Sequence, residues 1–449
     1  MILFESNSPS KSIKLFLTFS YLVCWFSIST SFEDLLIFND NKEITLINII
    51  NSIRHLSVYL CFFFIILFFI LKKNLFIKNN KTYYLLLIYF IFQIPGLIIT
   101  NNSIENISFV VSALTIIATI ILINEYFSYN EKKLFLILSF LILLTIFFLS
   151  FIPQIKQFFL GIRNMYGSLF ENSEMFLYKS SPRSSGLSRT SLLLILLVFI
   201  FEKFFFKNKN IFLTIFKIFL LIAILLYQSR SIIFLTFLSF SLIFIFENKF
   251  SLKYLFKFLI TYLLIPVIFT YLLFINYENK SYELRMDKWK EKNPTLLSEN
   301  NIKLSEIAGD KPIRQFKIES ISSGRFEDWF LIFDNFPKEK YFFGFGAQGD
   351  RYLIDQSASN GFIYAFVSSG IFGLIIYSIF IYIIFLKSIK MVLNFKNINI
   401  DSIYISLIII ILILRSFIET SVAVFSLDLI ILLSCLIMIN NDYKIKNLK

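Results

Sequence analysis

Histidine is nearly missing from this chain, with His55 the only one in 449 residues. Cysteine is almost as scarce: Cys24, Cys61 and Cys435 all lie inside apolar runs and read as small core residues, not disulfides. Three scattered cysteines and one histidine cannot assemble a Cys/His metal site. No GxxxxGK[ST] phosphate loop occurs, and no DxD pair of the kind that holds a metal for a nucleotide sugar. These absences argue against nucleotide-fuelled chemistry on a cytoplasmic face, and they give no reason to expect a cofactor or a metal. Charge is thin as well, at 16% of residues.

What is present is apolar. Hydrophobic residues make up 57% of the chain and aromatics 19%, and the mean hydropathy is +0.73. A soluble domain needs more polar surface than this composition supplies. Apolar runs near 20 residues recur, each long enough to cross about 30 Å of hydrocarbon as a helix. The fold class that follows is all-α, a polytopic transmembrane helical bundle. A β-barrel would show alternating strands of about ten residues, a pattern this chain lacks.

Twelve stretches qualify as spans: 13–32, 56–71, 82–100, 107–124, 134–153, 190–206, 211–227, 231–246, 254–276, 360–386, 402–418 and 421–440. The first is read as a span and not a signal peptide, because no A-x-A-type site follows it and eleven more spans do. The excess of Phe, Ile, Asn and Lys reads as the mark of an AT-rich genome and carries no function.

Lysine and arginine set the orientation. One set of short connections carries Lys72, Lys73, Lys78 and Lys81, then Lys132 and Lys133, Lys203, Lys207 and Lys209, Lys249 and Lys253, and Lys387, Lys390 and Lys396. The alternate connections are poor in lysine. The lysine-rich set is therefore expected in the cytoplasm, with both termini inside. Regions 1–276 and 360–449 then hold nine and three spans, with one outer loop at 154–189. Region 277–359 is a large extracytoplasmic loop. It has 13 basic and 14 acidic residues, a net of −1. The net charge of +13 thus sits on the inner loops, where it sets topology and meets anionic lipid, and no nucleic-acid partner is needed to explain it.

The second half of the large loop is patterned: "SGRFEDWFLIFDNFPKEKYFFGFGAQGD". Ser322 or Ser323 suits an N-cap, Glu327 and Asp328 suit the positive end of a helix dipole, and Pro337 ends the helix. Trp329, Phe330, Ile332 and Phe333 give it an apolar side, suited to the membrane surface or the bundle. Gly344, Gly346 and Gly349 allow a tight turn or a close approach of backbone to a ligand.

Arginines recur at the outer ends of spans, whereas the inner loops use lysine. "SSPRSSGLSRTS" carries Arg183 and Arg189, "LLYQSRSIIF" carries Arg230, "SSGRFEDW" carries Arg325, and "ILRSFIETS" carries Arg415 with Glu419 four residues on. A guanidinium grips phosphate or carboxylate through paired hydrogen bonds, so a cluster at the bundle mouth suits a diphosphate. Arg189 also fits a mere helix start, and Arg415 and Glu419 also fit mutual neutralisation. Glu327, Asp328, Asp350 and Asp355 are candidate general bases for a sugar hydroxyl. Asp428, deep in the last span, needs a partner, for which Arg415 is suited. Lys217 and Lys257 are expected to snorkel toward the cytoplasm. His55 reads as structural.

Several of these segments, in this order, resemble the O-antigen polymerase and ligase superfamily. The likeness covers roughly 180–435. It rests on "RSSGLSRTSLLL", "LLYQSRSIIF", "SGRFEDWFLIFDNFPKEKYFFGFG", "SASNGFIYAFVSSGIFGLI" and "LRSFIETSVAVFSLDLI". No single piece is specific; order and spacing on a twelve-span chain carry it. The resemblance implies inverting, metal-independent glycosyl transfer at the outer face of the bacterial plasma membrane. The donor would be a glycan on undecaprenyl diphosphate, and the partners membrane lipids, a flippase and a chain-length regulator. By resemblance Arg230 and Arg325 hold the leaving diphosphate, with Arg183 beside them. Glu327 and Asp328 join the catalytic set, and Arg189, Arg415, Glu419 and Asn360 the substrate-binding set. One departure matters: the ligase branch carries a His before the Asn of the loop-end motif, whereas here Ser359 precedes Asn360. That favours a polymerase, with a ligase or a lipid-linked oligosaccharide flippase as alternatives.

Overall fold

A computed structural model describes residues 11–29, 46–71, 81–99, 104–159, 184–206, 210–227, 229–247, 252–292, 325–354, 357–393 and 400–446, and no strand occurs among them. The helices are α1 (Lys11–Ser29), α2 (Leu46–Leu71), α3 (Lys81–Ile91), α4 (Gln93–Ile99), α5 (Ile104–Tyr126), α6 (Tyr129–Phe159), α7 (Ser184–Phe205), α8 (Ile211–Tyr227) and α9 (Arg230–Glu247). Next come α10 (Leu252–Leu259), a π-helical turn (Ile260–Leu264) and α11 (Ile265–Lys292). The last five are α12 (Arg325–Asn335), α13 (Gly349–Ile354), α14 (Gly361–Leu393), α15 (Ile400–Ser416) and α16 (Leu427–Lys446).

A helix underlies each of the twelve apolar stretches. Seven described segments are long and apolar enough to cross a membrane: Lys11–Ile28, Ile53–Leu71, Lys81–Ile98, Asn106–Tyr126, Tyr129–Ile152, Tyr254–Tyr277 and Gly361–Leu393. Ile211–Tyr227, Arg230–Ile245 and Leu427–Ile439 are shorter apolar helices. The protein is an all-α membrane protein. Two boundaries differ from the sequence reading. The chain stays helical beyond 276 to Lys292, because no proline or glycine intervenes before Pro294. The stretch 82–100 is two helices, α3 and α4, with a turn at Phe92.

Apolar character all round marks the inner helices. In α16 every residue from Leu427 to Ile439 is buried, and so is the middle of α5 from Ser112 to Asn124. Helix α2 from Ile53 to Leu71 and helix α11 from Val267 to Ile275 expose large apolar side chains, the surface expected to face lipid. Lipid is as apolar as these side chains, so close packing and interhelical hydrogen bonds must hold the bundle. The Tyr21 hydroxyl of α1 lies 2.6 Å from Ser139 Oγ of α6 and 2.7 Å from Ser434 Oγ of α16, joining three helices. Lys217 does not snorkel: it is 2% exposed, and its Nζ donates to Glu202 Oε2 at 2.7 Å, pinning α8 to α7. A carboxylate already facing it across the hairpin makes pairing cheaper than stretching to water. Lys257 is exposed. The three cysteines are free and buried, and Arg54 Nη2 lies 3.1 Å from His55 Nε2.

Helix α14 is broken at Gly370, which has φ 66° and ψ −165°. The break frees backbone groups that a bilayer cannot hydrate. The glycine-rich turn supplies their partners: Phe345 N donates to Val367 O at 2.8 Å, Gly346 N to Ser368 O at 2.9 Å, and Ile371 N to Tyr341 O at 2.8 Å. A Cβ on Gly370 would strike the backbone of Phe342, and one on Gly96 of α4 would strike Gly346. The close approach anticipated for Gly344 and Gly346 is therefore made to the protein's own backbone. The turn joins residues 341–349 to the bundle and places α12 over its end.

Candidate functional site

The site is built where α15 ends and α16 begins. Arg415 lies in the last turn of α15, 1% exposed. Its Nη1 donates to Asp428 Oδ1 at 2.6 Å and also to Oδ2. Asp428 is 0% exposed and accepts a second bond from Ser421 Oγ at 2.6 Å. A buried charge without partners is costly, so this carboxylate is the permanent counter-ion of Arg415. The Arg415 Nη2 donates to Glu419 Oε2 at 2.5 Å. Glu419 differs from Asp428 in being 26% exposed and in lying past the end of the helix.

The connection from Phe417 to Ser426 is held by side chains. Ser426 caps α16, its Oγ accepting from Leu429 N at 3.3 Å and donating to Ser421 O at 2.6 Å. Tyr89 of α3 donates through its hydroxyl to Ala423 O at 2.8 Å. Asn360 caps α14, its Oδ1 accepting from Phe362 N and Ile363 N, while its Nδ2 donates to Phe417 O at 3.0 Å. Every polar atom of the Asn360 side chain is thus engaged in tying the loop end to this connection. The non-glycine residues with positive φ among those described are Gln348, Ser359 and Ser421. Ser421 lies in this connection, Ser359 precedes Asn360 and Gln348 lies in the glycine-rich turn, and such strain is typical of functional sites.

Two further arginines act electrostatically on Glu419. Arg189 lies in the second turn of α7, which packs against α15, and it acts electrostatically on Arg415, Asp428 and Glu419. Its guanidinium makes no hydrogen bond or ion pair among the described residues, and its buried Nε has no partner. Arg325 opens α12 and also acts on Glu419. Burial works against the Glu419 carboxylate, yet Arg415, then Arg189, and also Arg325 outweigh it and hold the group below its usual range.

Helix α12 forms where expected. Ile332 is buried beneath it, and Trp329 Nε1 donates to Ala358 O at 2.7 Å. Phe326, Phe330 and Phe333 are exposed on the opposite side. Glu327 and Asp328 lie in the first turn, Glu327 exposed and Asp328 half-buried. Burial first, and Glu327 beside it, raise the Asp328 carboxyl above its usual range, with Arg325 opposing. Asp350 is buried and occupied with backbone: Oδ2 accepts from Ala358 N at 2.8 Å and Oδ1 from Arg351 N at 3.0 Å. That is a loop clasp, an unsuitable posture for a general base. Arg230 is the exposed first residue of α9, which packs against α7 and α15, the helices that carry Arg189 and Arg415. Arg183 and Asp355 lie outside the described residues.

The structure thus gathers Arg189, Arg325, Arg415, Glu419 and Asp428 at one end of the bundle. No protein-family model matches this sequence, and no curated protein matches it. Arg189 and Arg325, whose guanidiniums make no hydrogen bond among the described residues, lie near Arg415, which holds two carboxylates; such a group is suited to a multiply charged anion. Among the described residues no cluster of His, Cys, Asp and Glu has the geometry to hold a metal ion. Sequence reasoning missed Ser421 and Ser426; the polar interruption "ETSVAVFSLD" between two apolar runs was the signal for them.

Proposed function

We propose that this chain is a membrane-embedded glycosyltransferase that polymerises oligosaccharide repeat units carried on undecaprenyl diphosphate into O-antigen or capsule-type polysaccharide. The reaction runs at the outer face of the bacterial plasma membrane. In this reading about twelve helices cross the bilayer, both termini are cytoplasmic, and the 325–360 segment faces outward, because the lysine-rich connections stay inside. A flippase supplies the substrate and a chain-length regulator works beside the enzyme.

The observation that carries the reading is the Arg415–Glu419 pair, with Arg189 and Arg325 near enough to act on the same carboxylate and the Arg189 guanidinium unpaired among the described residues. Transfer to a sugar hydroxyl forms a new bond to the anomeric carbon and breaks its bond to the diphosphate oxygen. Negative charge grows on that diphosphate as it leaves, and fixed guanidiniums stabilise it without a metal. The hydroxyl proton passes to a carboxylate of the α12 first turn. Asp328 suits this role, since its raised pKa strengthens it as a base. By the resemblance Arg230, the first residue of α9, and Arg183 also hold the diphosphate.

In a strain lacking the gene, surface glycan should carry a single repeat unit, and Arg325→Ala should fail to restore the chain-length ladder at unchanged protein level. Long glycan stranded on its lipid carrier would instead identify a ligase and end this assignment.

A further inference from the structure

The two carboxylates bound to Arg415 are built differently. Asp428 is fully buried, engages Nη1 with both oxygens and is held again by Ser421. Its single charge is enough to balance that of the guanidinium. Glu419 is partly exposed, sits on non-helical backbone and, among the described residues, makes one side-chain hydrogen bond, from Arg415 Nη2. Its charge lies where Arg189 and Arg325 also act. A second carboxylate is not needed for the charge balance of Arg415, yet it is hydrogen-bonded to Arg415 and attracted by Arg189 and Arg325 as well.

We propose that Glu419 is an exchangeable internal anion that fills the arginine cradle in the resting protein and is displaced by the phosphates of the lipid-linked substrate. This rests on the cradle being the diphosphate site. Incoming diphosphate takes the Nη2 hydrogens of Arg415 and engages Arg189 and Arg325, while the Glu419 side chain swings into the exposed space beside it. Only side-chain torsions need change, because Asp428 keeps Arg415 in place. After transfer, the returning carboxylate competes with the product diphosphate for the same donors and speeds its release. A ligand that must expel a resident group binds more weakly than the same ligand in an empty cradle.

The test uses the full-length protein in detergent and farnesyl diphosphate as a short prenyl diphosphate probe, with affinity measured by calorimetry. Glu419→Gln should bind the probe about tenfold more tightly than the natural chain, the scale of one removed competing charge. Glu419→Asp, which keeps the charge but shortens the reach to Arg415, should also bind more tightly. Arg189→Ala and Arg325→Ala should weaken binding in both the natural and the Glu419→Gln backgrounds. If those arginine variants weaken binding but Glu419→Gln does not tighten it, the exchange role falls and the diphosphate site stands. If neither arginine variant alters binding in either background, the cradle itself is refuted. Matching thermal unfolding midpoints among the variants would exclude misfolding as the cause.

Discussion

Arg415 carries the largest single-residue stake. It is 1% exposed and leans on Asp428, itself 0% exposed. Asp428→Ala leaves a buried guanidinium without its main counter-ion, a loss of about 3–5 kcal/mol. A fall in the thermal unfolding midpoint in detergent would show it, and the Arg415→Leu, Asp428→Leu pair should recover much of that loss because the two changes couple. Glu419 adds a pH dependence. Its folded pKa is depressed, so its contribution is complete above the usual carboxylate range and is lost as pH falls through the lower folded value. Glu419→Gln should flatten that acid limb in a plot of midpoint against pH. At this scale the sequence was partly legible. Arg415 and Glu419 sit one turn apart, and an acid inside a span demands a partner, which pointed from Asp428 to Arg415. The approach of Arg189 was hidden, because nothing local marks which way α7 turns that side chain.

Among the elements, α12 was readable and the break in α14 was not. The pattern "SGRFEDWFLIFDNF" contains the cap, the acidic first turn and the apolar side that make α12, and none of these needs a distant partner. "SSGIFG" shows two glycines, but only the docked turn reveals that Gly370 is the residue with positive φ. There the helix exchanges its own ladder for bonds to Tyr341, Phe345 and Gly346. Gly370→Ala should cost roughly 2 kcal/mol or more, from the left-handed backbone conformation and from the Cβ that would meet the Phe342 backbone. Faster trypsin cleavage within 325–360, measured beside the natural protein, would report the undocked turn. Unchanged cleavage would mean that the turn is held by other contacts, such as Trp329 on Ala358.

For the whole molecule the charge pattern sets the arrangement expected across the bilayer. The positive-inside pattern predicts that 300–310 lies outside and 394–399 inside. Alkaline phosphatase fused within the first stretch should be active and within the second inactive; the reverse result would put the arginine cradle on the cytoplasmic side. The bundle also shows why a lysine in an apolar run is a poor guide to depth. Lys217 is paired with Glu202 and stacked 4.3 Å over the Phe199 ring, a position its sequence neighbours do not announce.

Composition and run length were enough to determine that this is an all-α membrane protein, where its helices lie, and that a polar, helix-forming segment interrupts them late in the chain. They suffice because lipid requires each span to satisfy its own backbone, so each apolar run specifies its helix independently of the others. Which helices meet was decided only in three dimensions. Runs of Phe, Ile and Leu are nearly interchangeable at a helix contact, so the choice of neighbours falls to a few polar groups and close-packed glycines far apart in the sequence. Arg189, Arg325, Arg415, Glu419 and Asp428 become one site only after that choice is made.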